Sequence, residues 1–506
     1  MTEPLSYFFM SWTNPYLLFL TAAGTFAGIY IGAIPGLSVT MAVSILISFT
    51  FKWHVNEALA LIAGIYLGGV YGGSRSAILL NIPGAPAAIA TALDGYPLAK
   101  RGEAGTAIGL TTVVSVLGGF IGIAALAVGA PALSNLALLF APRDYLMLAI
   151  WGLLLVGSLS GESLAKGLFA GALGVLIGMI GLDPLTAEGR FTYGVVELTG
   201  GIPYVAAMIG FFGVSEVLVQ LHSLKVTPVR QDVSRIIPSW ALLKKYLPLS
   251  LRCSTIGVFI GALPGAGGDI AALMAYDHAK RSTKNPSRPF GDGAYEGIVA
   301  PETANNAAVP GEYIPMLTLG IPGDAVTAVI IGALYIHGLK PGPMLMIETP
   351  HLFWFCVGNL FLANCFLLPF GLSGIRIFAK IVETPKAILM PMILVLSAVG
   401  TYAIENNPTH IYWMLGFGVL GYFLKMYGYQ VGPVILGIIL GPLIDVSYRR
   451  AMISASDEPA QFALEFFTSP VSIVLVAALA ITVLSQTTLW GRITGTGKRA
   501  GGYAEG

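Results

Sequence analysis

Polar side chains embedded in apolar runs are the residues of this sequence with chemistry to offer. In Ala300-Pro-Glu-Thr-Ala-Asn-Asn-Ala-Ala-Val-Pro-Gly-Glu312, residues Glu302, Asn305 and Asn306 stand at i, i+3 and i+4, on one helical face. Such a row of oxygens can ligate a small cation or carry a proton. Asp269 and Asp324 each follow a Pro-Gly pair, as do Ser38 and Thr40. Plain N-capping explains all four and is worth about 1 kcal/mol each. An ionised carboxylate at membrane depth costs at least about 2.5 kcal/mol, so aspartate where serine would cap also fits cation ligation. Arg75, in Tyr71-Gly-Gly-Ser-Arg-Ser76, is the only lysine or arginine between Lys52 and Lys100. Its guanidinium can grip a carboxylate bidentately or snorkel from a span end. Asn81, just before Ile82-Pro83-Gly84, is a further candidate contact. His54, His222, His278, His337, His351 and His410 are scattered near segment ends, and Cys253, Cys356 and Cys365 lie in apolar runs. No metal site beyond one for sodium, no disulfide frame and no cofactor is expected from them.

The elements that must hold these residues are helices broken inside the apolar layer. Pro-Gly pairs interrupt apolar segments at Pro35-Gly36, Pro83-Gly84, Pro264-Gly265 and Pro322-Gly323. Proline removes a backbone donor, and glycine accepts the left-handed conformation that ends a helix. Within hydrocarbon, the freed backbone groups are tolerated only against protein or a wet cavity. Half-helix N-termini then face an anion and C-terminal carbonyls a cation, the arrangement of a secondary transporter. Tight turns between spans are the plainer alternative for any single pair.

The breaks recur through an internal duplication. Gly28-Ile-Tyr-Ile-Gly-Ala-Ile-Pro-Gly36 matches Gly257-Val-Phe-Ile-Gly-Ala-Leu-Pro-Gly265 at six of nine positions. Leu80-Asn-Ile-Pro-Gly84 matches Leu319-Gly-Ile-Pro-Gly323, and Glu57 falls on Glu296 in that register. Pro142-Arg143 and Gly174-Val-Leu176 find counterparts in Pro385-Lys386 and Gly418-Val-Leu420, so the offset drifts only from 229 through 239 to 244. The partners of Glu302, Asn305 and Asn306 in the first half are Ala63, Tyr66 and Leu67. A polar face present in one repeat is not needed to build the repeat, which points to function. Glu57 and Glu296, present in both, read as structural residues at membrane ends.

The composition sets the surroundings. Of 506 residues, 55% are hydrophobic, 10% are charged and 63 are glycine, with a mean hydropathy of +0.78. A soluble domain carries about 25% charged residues, so a cytosolic enzyme and a disordered chain are both excluded. A net charge of +1 argues against a nucleic-acid partner. No lysine or arginine precedes Lys52, so a cleavable signal peptide is not expected. The expected fold is an all-α polytopic integral membrane protein of about 12 membrane segments. It comprises two internal repeats with Pro-Gly-broken helices or re-entrant hairpins. Residues 1–222 form the first transmembrane repeat and 246–490 the second. Basic residues place the polar linker 223–245 (Lys225, Arg230, Arg235, Lys244, Lys245) and the tail 491–506 in the cytoplasm. A helix over 250–263 spans about 21 Å, short of a hydrocarbon core about 30 Å thick, which favours a re-entrant hairpin turning at Pro264-Gly265. A start at Tyr246 would permit a full crossing.

At these residues the sequence resembles the large membrane subunit (TctA-like) of the tripartite tricarboxylate transporters. The likeness is carried by Gly32-Ala-Ile-Pro-Gly36, Asn81-Ile-Pro-Gly84, Gly261-Ala-Leu-Pro-Gly-Ala-Gly-Gly-Asp269 with Tyr276, the Glu296–Glu312 run and Gly320-Ile-Pro-Gly-Asp324. It extends from about residue 15 to 490. The resemblance implies a non-enzymatic importer of di- or tricarboxylates in the bacterial inner membrane, coupled to sodium or protons. It also implies two partners, a periplasmic substrate-binding protein and a small membrane subunit. By position, the carboxylate would meet Pro35, Gly36, Ser38, Thr40, Ser74, Arg75, Asn81, Pro83, Gly84, Pro264, Gly265, Pro322 and Gly323. The coupling ion would meet Asp269, Glu302, Asn305, Asn306 and Asp324. A passive anion channel or a membrane-embedded enzyme are the rival classes; no catalytic cluster stands out for the latter.

Overall fold

The computed structural model describes residues 2–34, 37–159, 163–183, 185–221, 236–373 and 386–485. The expected break at Pro35-Gly36, the linker as far as Arg235 and the tail 491–506 lie outside the described residues.

Helices dominate, as continuous Leu, Ile, Ala and Gly runs require when backbone groups cannot bond to water. Among the described residues the strand content is one two-residue pair, Gly181–Leu182 against Gly189–Arg190. Among the described residues, five helices are long and apolar enough to cross a membrane: Pro15–Ala33, Val55–Leu80, Ala104–Ala137, Pro350–Ser373 and Gly432–Ser454. A sixth span results if Pro459–Glu465 and Pro470–Leu484, bent by 91°, count as one. Shorter apolar helices supply further segments, including Val39–Thr50, Leu164–Gly178, Tyr204–Gln220 and Ala325–Ile336.

The chain forms two compact units, one of Met1–Leu138 with Pro203–Met426, the other of Leu139–Ile202 with Tyr427–Gly506. Every candidate site residue among those described belongs to the first. Its helices are α1 (Pro15–Ala33), α2 (Val39–Thr50), α3 (Val55–Leu80), α4 (Ala88–Lys100), α5 (Ala104–Ala137), α6 (Tyr204–Gln220), α7 (Trp240–Gly261), α8 (Gly267–Ser282), α9 (Glu296–Leu319), α10 (Ala325–Ile336), α11 (Pro350–Ser373), α12 (Lys386–Glu405) and α13 (Thr409–Met426).

Local chemistry sets the helix starts. Asn14 caps α1 by accepting from the N–H groups of Tyr16 and Leu17, with Pro15 at the first position. The Glu57 carboxylate accepts the His54 N–H at the start of α3. Its counterpart Glu296 begins α9, accepting from the Ser287 N–H and hydroxyl and from Tyr246. Ser239 caps α7 through the Leu242 N–H. That cap starts the helix inside the polar stretch, ten residues ahead of the apolar run expected to begin it. With 22 residues, α7 is about 33 Å long, enough to cross a bilayer core. The length argument for a re-entrant hairpin at Pro264-Gly265 therefore does not hold.

Glycine stripes bring the backbones of two helix pairs into contact. A Cβ on Gly28 of α1 would lie 2.5 Å from the Ile65 carbonyl of α3, and one on Gly32 would strike Gly69. In α7, a Cβ on Gly257 would strike the Ala304 carbonyl of α9, and one on Gly261 would lie 2.5 Å from that of Ala308. The contacts stand at matching positions, since the glycines differ by 229 and their partners by 239. Such close approach replaces the missing hydrophobic drive between helices in lipid with van der Waals contact.

Helix α9 is the hub. All of its residues from Glu296 to Leu319 are buried, and α3, α4, α5, α7, α8 and α10 pack around it. Its entry is held by two carboxylates, Asp94 within α4 and Glu103 in the turn between α4 and α5. Glu103 receives Arg288 at 2.6 Å and the Tyr295 hydroxyl. Partial burial raises the Glu103 pKa, but the hydrogen bonds from Arg288 and Tyr295 outweigh it and hold the carboxyl below its ordinary range. Asp94 of α4 accepts the N–H groups of Gly291, Gly293 and Ala294 and the Tyr276 hydroxyl.

Candidate functional site

Among the described residues, the second, third and fourth helix breaks are bonded to one another. After α7, Gly265 adopts φ +75° and donates its N–H to the Pro322 carbonyl at 3.3 Å, tying the third break to the fourth. After α3, Asn81 ends the helix in the left-handed region at φ 56°. Gly84 then donates to the Gly73 carbonyl, and a Cβ on it would press on the Gly32 carbonyl at the end of α1. The second break is joined to the third by Asp269, whose carboxylate accepts the Ala87 N–H at the start of α4 at 2.9 Å. Asp269 stands in the first turn of α8, yet its recorded bond reaches across to another helix.

Asp324 does cap its own helix, accepting the Thr327 N–H (2.7 Å) and hydroxyl (2.6 Å) at the start of α10. It also meets Glu312 of α9. These two carboxyls are hydrogen-bonded, and Glu312 further accepts from the Gly268 N–H and the Tyr66 hydroxyl. The Cβ of Glu312 lies so close to Gly323 that a side chain there would meet it at 2.7 Å. Asp269, Glu312 and Asp324 thus gather where the breaks meet, with no lysine or arginine ion pair among the described residues.

The expected trio on α9 divides. Asn305 turns to α8, its amide oxygen against Gly268. Glu302, 1% exposed, is surrounded by hydroxyls instead: Thr91 of α4 donates to it, Ser115 of α5 lies at 3.3 Å, and Ser74 of α3 is within bonding reach. Ten residues separate Glu302 from Glu312, about 15 Å along the helix. Asn306, one turn on from Glu302 and fully buried, has neither amide atom hydrogen-bonded among the described residues.

Arg75 is 1% exposed, so it does not snorkel. Its Nη2 donates to the Phe370 and Gly371 carbonyls at the C-terminal end of α11, a favourable place for a cation. Nε reaches the Tyr71 hydroxyl at 3.4 Å, and Nη1 has no partner among the described residues. Ser38 caps α2 through the Met41 N–H at 3.1 Å, the plain capping role. Thr40 takes part through its carbonyl, which accepts from Ser44. Asn81 is exposed.

Four contributors were not singled out from sequence: Glu312, Tyr66, Thr91 and Ser115. Glu312 carried a readable signal, since it follows Asn305 by seven residues and repeats its face. The hydroxyls carried none, because helical serines and threonines commonly bond their own backbone, as Thr21, Thr25 and Ser254 do here.

Comparison with known proteins identifies the family of the chain. The Tripartite tricarboxylate transporter TctA family matches residues 18–436. A relative from Agrobacterium vitis, named as an uncharacterized 52.8 kDa protein in the TAR-I ttuC' 3' region, is 36% identical over 466 residues, covering 91% of each chain. A second from the same organism, named for the TAR-II ttuC' 3' region, is 38% identical over 228 residues, which is 45% of this chain and 92% of the relative. No solved structure matches. The chain belongs to the tripartite tricarboxylate transporter TctA family.

Proposed function

We propose that the protein is the large membrane subunit of a secondary active transporter. It imports di- or tricarboxylates across the bacterial inner membrane, driven by a sodium or proton gradient. A periplasmic binding protein delivers the substrate, and a small membrane subunit completes the assembly. The family and the long apolar helices make the chain a multi-pass membrane protein; direction, coupling and partners belong to the proposal.

The observation that carries it is Arg75. A buried guanidinium without an anion is strongly unfavourable, of the order of 3–5 kcal/mol when a pair is broken. Among the described residues Arg75 has only carbonyl and phenol partners and one bare Nη1. A substrate carboxylate supplies the missing charge and can engage the guanidinium bidentately. The matched glycine contacts of α1–α3 and α7–α9 support two repeats enclosing that substrate. The carboxyls at the breaks and on α9 supply groups whose charge changes with the coupling ion. Alternating access would then expose the site to each side in turn.

The test is uptake of labelled di- and tricarboxylates into proteoliposomes holding this chain and the small membrane subunit, with the binding protein supplied, with and without imposed sodium or pH gradients. Gradient-driven accumulation is expected from the wild type, no uptake from Arg75→Ala, and at least about tenfold less from Arg75→Lys, which lacks the planar fork. Flux at channel rates that ignores both gradients, or normal uptake by Arg75→Ala, would overturn the reading.

A further inference from the structure

We infer that a sodium ion binds between Glu302 and the hydroxyl groups of Ser74, Thr91 and Ser115, with the Asn306 amide oxygen as a further ligand. This rests on the gradient-driven carrier reading and assigns one ion and one place to it.

The first argument is the chemistry of the donors. The recorded side-chain partners of Glu302 are all hydroxyls, from three different helices. A hydroxyl carries two lone pairs beside its proton and rotates to present either. Ser74 shows why this matters. Its single proton goes to the Tyr71 carbonyl at 2.5 Å, with the Glu302 carboxylate close by. When the proton serves Tyr71, oxygen lone pairs face a carboxylate, an arrangement that a cation between them turns from repulsive to attractive.

The second argument is Asn306. It shares the Glu302 face of α9, is fully buried and leaves both ends of its amide unpartnered among the described residues. A buried amide without hydrogen bonds costs about 1–3 kcal/mol. Its oxygen is a hard ligand of the kind alkali and alkaline-earth cations take. Charge then selects among cations. Glu302 contributes one negative charge and its neighbours none, so a monovalent ion neutralises the site while a divalent ion would leave it positive in an apolar interior.

The carboxyls at the breaks are poorer candidates for the same ion. Asp269 and Asp324 accept backbone N–H groups, from Ala87 and Thr327. Glu312 accepts the Gly268 N–H and shares a hydrogen bond with Asp324. An N–H cannot turn round to offer a lone pair, so these oxygens are already committed.

The experiment is saturable binding of ²²Na⁺ to the purified full-length protein in choline buffer, followed by sodium dependence of carboxylate uptake in liposomes that also hold the small membrane subunit, with the binding protein supplied. Glu302→Gln is expected to weaken sodium binding at least about tenfold, and Ser115→Ala and Asn306→Ala several-fold. Melting temperatures in choline buffer identify variants that still fold, and Ser115→Ala serves if Glu302→Gln does not. Sodium binding that all folded variants retain at wild-type strength would overturn the site. So would the absence of saturable sodium binding in the wild type. In that second case, uptake persisting under a pH gradient leaves the carrier reading standing, whereas no uptake under either gradient fails the carrier as well.

Discussion

Asp324 performs two tasks that substitution can separate. Its carboxylate caps α10 through Thr327 and meets Glu312. Asparagine caps about as well as aspartate, while alanine forfeits about 1 kcal/mol. Asp324→Asn should therefore melt near the wild type and Asp324→Ala measurably lower, while both lose gradient-driven accumulation. Normal accumulation by a well-folded Asp324→Asn would reduce the residue to a cap. At this scale the sequence was informative about type and position: the aspartate after the break, the lone arginine in an apolar stretch and the polar face of α9 were all visible, while the burial of Arg75 was not. It was silent about neighbours. Helical periodicity tells which way a residue faces on its own helix and nothing of what stands opposite, so Glu302 could not be matched with Thr91 or Ser115.

Among the helices, glycine placement makes a comparison possible. Gly28 and Gly257 meet carbonyls of α3 and α9, whereas Gly416 of α13 has nothing within 4 Å of where a Cβ would stand. Gly28→Ala and Gly257→Ala should each cost about 1–3 kcal/mol through overpacking. Gly416→Ala should be neutral or slightly stabilising, since alanine is the better helix former. Thermal melts in detergent decide; equal shifts at all three sites would refute the close approach.

The entry to α9 gives a pH signature. Glu103 is held below the ordinary carboxylate value of about 4.3, so its pairing stabilises the fold above that pH and is lost as pH falls through the lower folded value. Glu103→Gln should lower stability at pH 7 by up to about 1 kcal/mol, because the pair is partly exposed. That difference should shrink as pH falls below about 4.3 and vanish below the lower folded value. An unchanged gap in acid would assign the effect to packing. The helix breaks were legible because proline and glycine are local signals. The start of α7 was not, because a serine cap in a polar stretch outweighed the hydropathy profile.

For the whole molecule, the division into two compact units does not follow the order of the chain, since each unit takes one stretch from before residue 203 and one from after it. Hydropathy cannot reveal such an arrangement, because apolar runs look alike whichever unit they enter. Each unit has its own ties. In the second, Asp183 and Asp445 meet Arg190 and Arg449, and Gly437 packs on Val175 of the helix Leu164–Gly178. In the first, Ser74 and Arg75 are consecutive residues of α3, one beside Glu302 and the other at the end of α11. On the proposed reading, one turn of helix serves both signs of cargo. With sodium balancing Glu302 and one substrate carboxylate balancing Arg75, the loaded turn would carry the same net charge as the empty one. Each further carboxylate on the substrate must bring its own cation or work against the inside-negative membrane voltage, at about 2.3 kcal/mol per charge for every 100 mV.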